Sequence, residues 1–343
     1  MQKVLVTGGC GFIGSHLVRQ LVKLKEYDID VVDNLASGSL ESLADLKTRC
    51  VASGLLPIYE QNEEKNDPSA ILVIAGDFVD PNVLERIMQK QYDIVFHLAA
   101  NPRVSYSVEN PTITTEENIY KTAALFEACQ KSGVRRVVFS SSSAVYGNTQ
   151  ELPTKEDDSI AKNIQSPYGL QKKVCEDFSQ LFHRLYGTDI VSLRYFNVYG
   201  PGQMGGTAYS TAVSAWCNAI HSGSDLRSDG DGSQTRDMIY VDDVVSANIL
   251  AAEAPPAAAG KIFNIATGYS ISNSEILSMF HEHYGDKVKV KSAPERPGDV
   301  KHTLASIENA EIELGFRART SFSEGLQKTW SWWDTLDSER HDI

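Results

Sequence analysis

Short apolar runs alternate with amphipathic stretches through the first half of the chain. The runs that predict strands are rich in Val, Ile and Leu, and they are Val4–Thr7, Ile29–Val32, Leu72–Ile74, Ile94–Leu98, Val137–Ser140 and Ile190–Arg194. Several are almost continuously apolar, as strands buried on both faces must be. Helical periodicity lies between them, at Ser15–Lys25, Asn118–Ser132 and Tyr168–Tyr186. This alternation predicts an α/β fold with a doubly wound parallel sheet.

Two regions depart from this rhythm. Residues 38–70 separate two predicted strands by more than a crossover needs, and the charged stretch Gln61–Ser69 is typical of a surface loop. We predict an insertion there and assign no chemistry to it. After Asn197 the pattern becomes irregular and rich in Gly, Pro and Asp, which indicates a smaller C-terminal domain. The predicted division places residues 1–196 and 238–267 in the larger domain, and residues 197–237 and 268–343 in the smaller one.

Composition and charge narrow the class of protein. The chain has 343 residues, of which 32 are Lys or Arg and 45 are Asp or Glu, giving a net charge of −13. This surplus repels nucleic acid and anionic membranes, so neither is expected as a partner. The five cysteines show no CxxC spacing, which favours reduced thiols. Without a recognisable secretory signal or an apolar run of about 18 residues, the sequence predicts a soluble cytoplasmic protein.

A glycine-rich turn follows the first predicted strand and opens the first predicted helix. Its spacing is G-x-x-G-x-x-G, from Gly8 through Gly11 to Gly14. Gly8 can form the tight turn, Gly11 permits close approach of a pyrophosphate, and Gly14 permits close packing of helix and sheet. The helix N-terminus then offers free N–H groups to phosphates. The turn predicts a dinucleotide site on a Rossmann-type sheet, although a glycine-rich turn without a ligand is the alternative.

Two aspartates at strand ends refine this prediction. Asp33 ends the second strand, where a carboxylate accepts hydrogen bonds from a ribose 2′-hydroxyl and repels a 2′-phosphate. NAD is therefore favoured over NADP, with a plain turn residue as the alternative for Asp33. Asp77 ends the next strand and is predicted beside the adenine, while a helix N-cap is an equally open interpretation.

A tyrosine and a lysine form the candidate catalytic pair. Tyr168 and Lys172 are spaced i, i+4, which places them on one helical face. A phenol has a pKa of about 10, and lowering it to about 7 needs roughly 4 kcal/mol, for which a lysine cation and a nicotinamide ring have the right sign. The serines Ser140–Ser143 end a predicted strand, where a hydroxyl can hold a substrate oxygen or pass a proton. A chance Y-x-x-x-K match and a polar strand end are the alternatives.

Several motifs occur together, in order, between residues 3 and 333. Those that resemble the extended short-chain dehydrogenase/reductase family are Thr7–Gly14, His97–Ala100, Ser140–Gly147 and Tyr168–Lys172. Those that resemble its nucleotide-sugar epimerase branch are Arg194–Pro201, Gly230–Asp237 and Arg296–Asp299. The resemblance implies a Rossmann-type sheet that binds NAD and a smaller C-terminal domain that binds a UDP-sugar.

The resemblance also implies a role for each matching residue. Tyr168 would be the acid/base, Lys172 would hold the nicotinamide ribose and lower the Tyr168 pKa, and Ser142 would be the catalytic hydroxyl, with Ser143 as its substitute. The residues implied to line NAD are Gly8, Gly11, Phe12, Ile13, Gly14, Asp33, Asn34, Ser37, Gly38, Asp77, Phe78, Leu98, Ala99, Ala100, Asn118, Ser140, Tyr168, Lys172 and Tyr195. The residues implied to bind the nucleotide sugar are Ser142, Ser143, Tyr168, Asn197, Arg236, Arg296, Asp299 and Thr303. No metal is predicted.

The residues that follow the implied catalytic hydroxyl indicate which type of reaction to expect. In this family, oxidation at C4 gives a 4-keto sugar that can be dehydrated, decarboxylated or reduced from its other face. A 4,6-dehydratase has Asp-Glu after the hydroxyl, and a decarboxylase has a glutamate before Val-Tyr-Gly. Here the positions hold Ser143 and Ala144, which favours 4-epimerisation. The alternatives are a UDP-glucuronate 4-epimerase, a 4,6-dehydratase, a decarboxylase and, more remotely, a non-catalytic NAD-binding regulator.

The resemblance carries two further predictions. The family's gate residue lies four positions after the aspartate of Arg-x-x-Asp, which makes it Thr303, and a small residue there leaves room for a 2-N-acetyl group. The resemblance therefore implies UDP-GlcNAc and UDP-GalNAc as substrates, with UDP-Glc and UDP-Gal as the additional or alternative pair. A homodimer is expected through helices 104–132 and 168–187. The apolar residues predicted to supply its surface are Ala123, Ala124, Phe126, Ala128, Val174, Phe178 and Leu181.

Overall fold

The candidate site lies at the carboxyl ends of the central strands of one large sheet. The computed structural model describes residues 1–56, 70–89, 91–157, 164–205, 211–294 and 300–341. The sheet is built by β1 (Gln2–Thr7), β2 (Tyr27–Asp33), β3 (Thr48–Ala52), β4 (Ile71–Ala75), β5 (Ile94–His97), β6 (Arg136–Ser142), β7 (Ile190–Tyr195) and β11 (Ile262–Ile265). These eight strands are all parallel and lie in the order β11-β7-β6-β5-β1-β2-β4-β3. The predicted α/β parallel fold is confirmed.

Helices cover both faces of this sheet. They are α1 (Phe12–Leu24), α2 (Pro81–Met88), α3 (Val104–Glu109), α4 (Pro111–Thr115), α5 (Lys121–Ser132), α6 (Pro167–Tyr186), α7 (Ala212–His221), α8 (Val241–Glu253), α9 (Asn273–Tyr284), α10 (Glu308–Leu314) and α11 (Phe322–His341). Alternate residues of β1 enter opposite cores: Val4 and Val6 pack with α1 and α8, and Leu5 packs with α2, α5 and α6. This two-sided burial explains the continuous apolar runs in the sequence. No helix in the described parts of the chain is long and apolar enough to cross a membrane.

All of the predicted strands and helices are present, with ends that shift by a few residues. Two strands of the large sheet had not been predicted. β3 lies in the predicted insertion 38–70 and forms the sheet edge beside β4, where its residues are exposed or half-buried, so it lacks a continuous apolar run. β11 at the opposite edge is only four residues long. The predicted loop Gln61–Ser69 lies outside the described residues.

The chain after residue 196 adds two small sheets. β8 (Asn197–Tyr199), β10 (Thr235–Tyr240) and β12 (Ser270–Ser272) form one, and β9 (Leu226–Asp229) pairs with β13 (Val290–Ala293) in the other. β8 follows β7 after a single residue, so this small sheet begins directly at the carboxyl end of β7 in the large sheet.

The strand order reverses direction between β1 and β5, and the crevice at this point is where doubly wound sheets bind ligands. Thr7 lies opposite His97 in register, and its hydroxyl is 2.7 Å from His97 Nδ1. The same hydroxyl accepts a hydrogen bond from the Ala99 N–H, at 3.2 Å. Burial lowers the pKa of His97 to about 3, so the ring is neutral. The neutral imidazole thus links the two strand ends that frame the crevice.

Candidate active site

One cavity of about 870 Å³ runs from this crevice across the ends of the central strands to the small sheet. At one end it is lined by the glycine-rich turn after β1 and by Asp33 and Asp77. At the other end it is lined by Asn197, Arg236 and Thr303. The cavity therefore joins the predicted dinucleotide site to the predicted sugar-nucleotide site.

The backbone of the glycine-rich turn forms a close-fitting cradle. Gly8 has φ +73°, and a Cβ there would lie 2.8 Å from the Ala99 nitrogen. A Cβ on Gly14 would lie 2.1 Å from the Gly8 carbonyl oxygen, so neither position admits a side chain without a shift of the backbone. Gly11 is the N-cap of α1 and makes no side-chain cap, which leaves the first N–H groups of the helix facing the cavity end. This arrangement fits a pyrophosphate.

Asp33 lies at the carboxyl end of β2 and lines the cavity. Its carboxylate accepts hydrogen bonds from the N–H groups of Leu35, at 2.8 Å, and Cys10, at 3.0 Å. Burial raises the pKa of Asp33, and these two backbone hydrogen bonds counter that effect. The carboxylate is thereby held in place beside the cradle, as the ribose of a dinucleotide requires.

Asp77 also lines the cavity, where its carboxylate pairs with Lys121 Nζ at 2.5 Å. It is not the cap of the following helix: Asp80 is the N-cap of α2 and accepts from the Asn82 N–H. The alternative interpretation of Asp77 as a helix cap is therefore wrong. Phe78, the next residue, packs edge-on against His97.

The candidate catalytic residues come from β6 and α6. Tyr168 is buried in the first turn of α6 and makes a side-chain hydrogen bond with Ser142, the last residue of β6. Lys172 lies one turn later, and its Nζ donates to the Ser140 carbonyl at 2.7 Å. Ser166 caps α6 and Pro167 begins it, so the sequence fixes where this helix starts. The phenol, the hydroxyl and the ammonium thus face one cavity.

The electrostatics differ from the sequence-based prediction. Burial raises the pKa of Tyr168 to about 12, and the hydrogen bond with Ser142 lowers it only in part. Burial lowers the pKa of Lys172 to about 8, while Cys175 and Glu176 raise it. The Lys172 Nζ is 6.0 Å from the centre of the Tyr168 ring. The prediction that Lys172 lowers the Tyr168 pKa is not confirmed among the described residues, because burial has the largest effect on that pKa and Lys172 is not among the groups that shift it.

The serines that end β6 have distinct partners. Ser140 Oγ is 2.9 Å from the Tyr195 hydroxyl, which donates to Asn248 at 2.8 Å. Ser141 donates to the buried Glu176 carboxylate at 2.5 Å. That carboxylate also accepts two hydrogen bonds from Arg194, both 2.8 Å long, on β7. Ser142 is thus the serine that reaches Tyr168, and the other contacts fix α6 against β6 and β7.

The substrate end of the cavity is built around Thr303. Its hydroxyl accepts from the Asp237 N–H at 3.1 Å and from the Asn197 amide at 3.2 Å. Arg236 on β10 lines the cavity and donates to the Lys301 carbonyl at 3.1 Å. Arg296 and Asp299 lie outside the described residues. The predicted gate position and two predicted nucleotide-sugar residues therefore share one wall.

Most of the predicted site residues line the cavity, and two described ones do not. Asn118 lies behind the wall, where it donates to Gln171 and Asn101. Gly38 packs against the carbonyl of Cys10, 2.7 Å from where its Cβ would be. The cavity-lining residues that the sequence reasoning missed include Arg103, Tyr106, Thr149, Gln165, Gln203, Met204 and His302. Tyr106 lies on α3 and the others lie outside the helices and strands, and none of them belongs to a quoted motif, so no local signal marks them.

Comparison with known proteins places the chain in a family. The model of the NAD dependent epimerase/dehydratase family matches residues 4–266. A putative UDP-glucose 4-epimerase of Methanocaldococcus jannaschii is 34% identical over 330 residues, which cover 96% of this chain and 97% of that protein. The chain therefore belongs to the NAD dependent epimerase/dehydratase family, which confirms the prediction of an enzyme that uses NAD.

Two solved structures share the whole fold. The UDP-N-acetylglucosamine 4-epimerase of Methanobrevibacter ruminantium, in complex with UDP-N-acetylmuramic acid, is 36% identical with a TM-score of 0.85, covering 98% of this chain and 99% of that one. The UDP-glucose 4-epimerase of Thermus thermophilus, in complex with NAD, is 31% identical with a TM-score of 0.80, covering 97% and 99%. Both of these proteins, like the Methanocaldococcus jannaschii relative, are named as 4-epimerases of UDP-sugars. No cluster of metal-ligating side chains occurs within the described ranges.

Proposed function

We propose that the protein interconverts the C4 epimers of a UDP-hexose through a transient 4-keto sugar, with an NAD that stays bound between turnovers. The observation that carries this proposal is the joint cavity, in which Tyr168, Ser142 and Lys172 lie between the glycine cradle and the Thr303 wall. The similarity to UDP-sugar 4-epimerases supports it.

The chain's own residues suit each part of the reaction. Tyr168 exchanges the proton of the sugar 4-hydroxyl, and Ser142 holds that oxygen in line with the phenol. Lys172 has three N–H donors, of which Ser140 takes one, so others can bind ribose hydroxyls. When bound, NAD supplies the hydride acceptor and a positive ring that favours the phenolate. The residues that would hold it are the cradle at Gly8–Gly14, Asp33 and Asp77.

The described part of the cavity wall places no carboxylate where dehydration or decarboxylation would need one. Among the described residues that line it, the acidic ones are Asp33, Asp77 and Glu117. Asp33 is next to the cradle, Asp77 pairs with Lys121, and Glu117 accepts from the Asn101 amide. Ser143 and Ala144, which line the cavity after Ser142, carry no carboxylate for elimination at C6. Reduction of the 4-keto sugar from its other face is the remaining outcome.

The size of the Thr303 side chain in the cavity wall supports a proposal for the identity of the sugar. Thr303 lines the cavity and lacks an aromatic ring, which leaves space for an acetamide. We propose UDP-GlcNAc and UDP-GalNAc as substrates, with UDP-Glc and UDP-Gal accepted as well. Incubation with a panel of UDP-sugars and analysis of the products by NMR tests this. Conversion of UDP-GlcNAc to UDP-GalNAc is expected, whereas a 4-keto-6-deoxy or decarboxylated product would exclude epimerisation.

Bound NAD should be released when the purified protein is denatured. The Asp33 carboxylate repels a 2′-phosphate, and the reaction returns its hydride, so NAD is neither replaced by NADP nor consumed. Mass spectrometry of the supernatant should find NAD⁺ or NADH at a level close to the protein concentration. Recovery of NADP instead would contradict the role proposed for Asp33.

We propose that the protein is a homodimer, but two of the seven residues predicted to supply its surface do not lie on it. Phe126 and Ala128 are buried in the protomer's own core and cannot contribute to an interface. The predicted helix 104–132 is also divided into α3, α4, a π-helical turn and α5. The exposed apolar residues on this segment and on α6 are Val104, Val108, Ile113, Tyr120, Leu170, Leu185 and Tyr186. They supply the apolar area that a partner protomer would cover.

Light scattering at micromolar concentration should give twice the chain mass of 37.8 kDa. Tyr120→Glu places a charge on this surface and should shift the mass toward the single chain. Ile312→Glu, an exposed apolar position on α10, is the matched control and should leave the mass unchanged. A single-chain mass for the unmodified protein would refute the dimer.

A further inference from the structure

His16 on α1 bridges two parts of the chain that are far apart in sequence. Its Nε2 is 2.9 Å from the carbonyl oxygen of Pro201, in the loop after β8. Its Nδ1 is 3.0 Å from the Asp242 carboxylate, at the start of α8. The family motif Thr7–Gly14 ends two residues before His16, and the resemblance assigns His16 no role in cofactor or substrate binding.

The two partners of His16 are both hydrogen-bond acceptors. A carbonyl oxygen only accepts hydrogen bonds, so Nε2 must carry a proton to bind Pro201. The hydrogen bond with His16 lowers the pKa of Asp242, so this carboxylate is ionised at neutral pH and also only accepts. Both contacts can therefore form together only when both ring nitrogens are protonated. Loss of one proton leaves one of the two acceptors without its donor.

The bridge connects the two walls of the active-site cavity. Phe12 and Ile13, one turn before His16 on α1, line the cofactor end. Gln203 and Met204, which follow Pro201, line the substrate end together with Val198. Gln203 is itself anchored, since its amide donates to the Val198 carbonyl at 3.0 Å. A change in the Pro201 contact thus acts on a loop that forms the substrate wall.

Other charged groups near the bridge come from three elements. Lys23 on α1 and Lys328 on α11 both favour the ionised form of Asp242. Lys328 is paired with Glu324 at 2.9 Å. Asp243, beside Asp242, turns away and accepts from the N–H groups of Arg319 and Thr320. Among the described residues, Asp242 is therefore the carboxylate that contacts His16.

We propose that His16 is a positioning residue whose doubly protonated ring clamps the Pro201–Met204 loop onto α1, so that affinity for the uridine nucleotide falls as the ring loses a proton. The inference rests on the proposed function only in taking UDP as the nucleotide.

The test compares UDP affinity, by calorimetry from pH 5.5 to 8.5, between the wild type and Asp242→Asn. An asparagine amide can donate to Nδ1 while Nε2–H still donates to Pro201, so a neutral ring satisfies both contacts. Because the terminal phosphate of UDP also titrates near pH 6, the two proteins are compared at each pH. The wild type should bind about threefold to tenfold more weakly than Asp242→Asn at pH 8.5 and equally well at pH 5.5. The side chain of Asp242 is 60% exposed, so this variant should fold.

Two further variants and a direct readout complete the test. His16→Ala should bind weakly at every pH, and His281→Ala, at an exposed histidine on α9, should behave as the wild type. Ring ¹⁵N NMR should show both His16 nitrogens protonated in the wild type at pH 6. Superimposable affinities of the wild type, Asp242→Asn and His16→Ala, or a singly protonated ring at pH 6, would overturn the clamp. Absence of UDP binding at all pH values would instead count against the proposed function, and the NMR result would still decide the charge of His16.

Discussion

Tyr168→Phe should lose about 10²–10⁴-fold in kcat and keep its affinity for the UDP-sugar. The phenol hydroxyl is the group that exchanges the proton of the sugar 4-hydroxyl, and its described partner is the Ser142 side chain. The ring stays in place in phenylalanine and continues to fill the same buried space. Turnover measured by product analysis and affinity measured by calorimetry separate the two effects.

Tyr186→Phe is the matched control for this variant. Tyr186 is the last residue of the same helix, α6, and it is not among the residues that line the cavity. Phenylalanine keeps the ring that belongs to the proposed dimer surface, so removal of the hydroxyl should not alter kcat. A Tyr168→Phe enzyme that stays within a few-fold of wild-type kcat would remove Tyr168 from the mechanism. Equal losses in both variants would indicate a general effect on the helix.

Thr303→Tyr should depress kcat/KM for UDP-GlcNAc by roughly 5- to 150-fold relative to UDP-Glc. The aromatic ring would fill the space proposed for the acetamide, and overfilling a packed site costs about 1–3 kcal/mol. The substitution also removes the hydroxyl that binds Asn197 and the Asp237 N–H, so the rates with all sugars should fall. The ratio of kcat/KM for the two sugars is therefore the measurement that matters.

Thr303→Val separates the effect of filling the proposed acetamide space from the effect of losing the Thr303 hydrogen bonds. Valine has nearly the shape of threonine but no hydroxyl, so it should lower both kcat/KM values and leave their ratio unchanged. A ratio that falls equally in the valine and tyrosine variants would assign the effect to the hydrogen bonds. An unchanged ratio in Thr303→Tyr, or an inactive wild type with UDP-GlcNAc, would defeat the gate assignment.

Features that depend on local sequence could be predicted. The central strands are buried on both faces, and this leaves continuous apolar runs that single-sequence reasoning detects. The turn at Gly8–Gly14 could be predicted because side chains do not fit there: a Cβ on Gly14 would lie 2.1 Å from the Gly8 carbonyl oxygen. The start of α6 was marked by Ser166-Pro167, which cap and begin the helix.

Features that depend on the tertiary surroundings of a residue could not be predicted from the sequence. β3 is a half-exposed edge strand, so its pairing with β4 leaves no apolar signature. Phe126 is buried in the protomer's own core. The sequence alone does not distinguish an apolar core residue from an apolar interface residue. The pKa of Tyr168 depends on how deeply the fold buries the phenol, and the lysine one turn away is not among the groups that shift it.

The fate of the hydrogen on C4 tests the central claim, redox-neutral 4-epimerisation with retained NAD, most directly. UDP-GlcNAc carrying deuterium at C4 is incubated with the enzyme without added cofactor, and both sugars are analysed by NMR at equilibrium. The account predicts that UDP-GalNAc forms and that the deuterium remains at C4 in both sugars, because the same hydride returns to the carbon it left. Deuterium found at C6, replacement of deuterium by solvent hydrogen, or formation of a 4-keto product without UDP-GalNAc would contradict it.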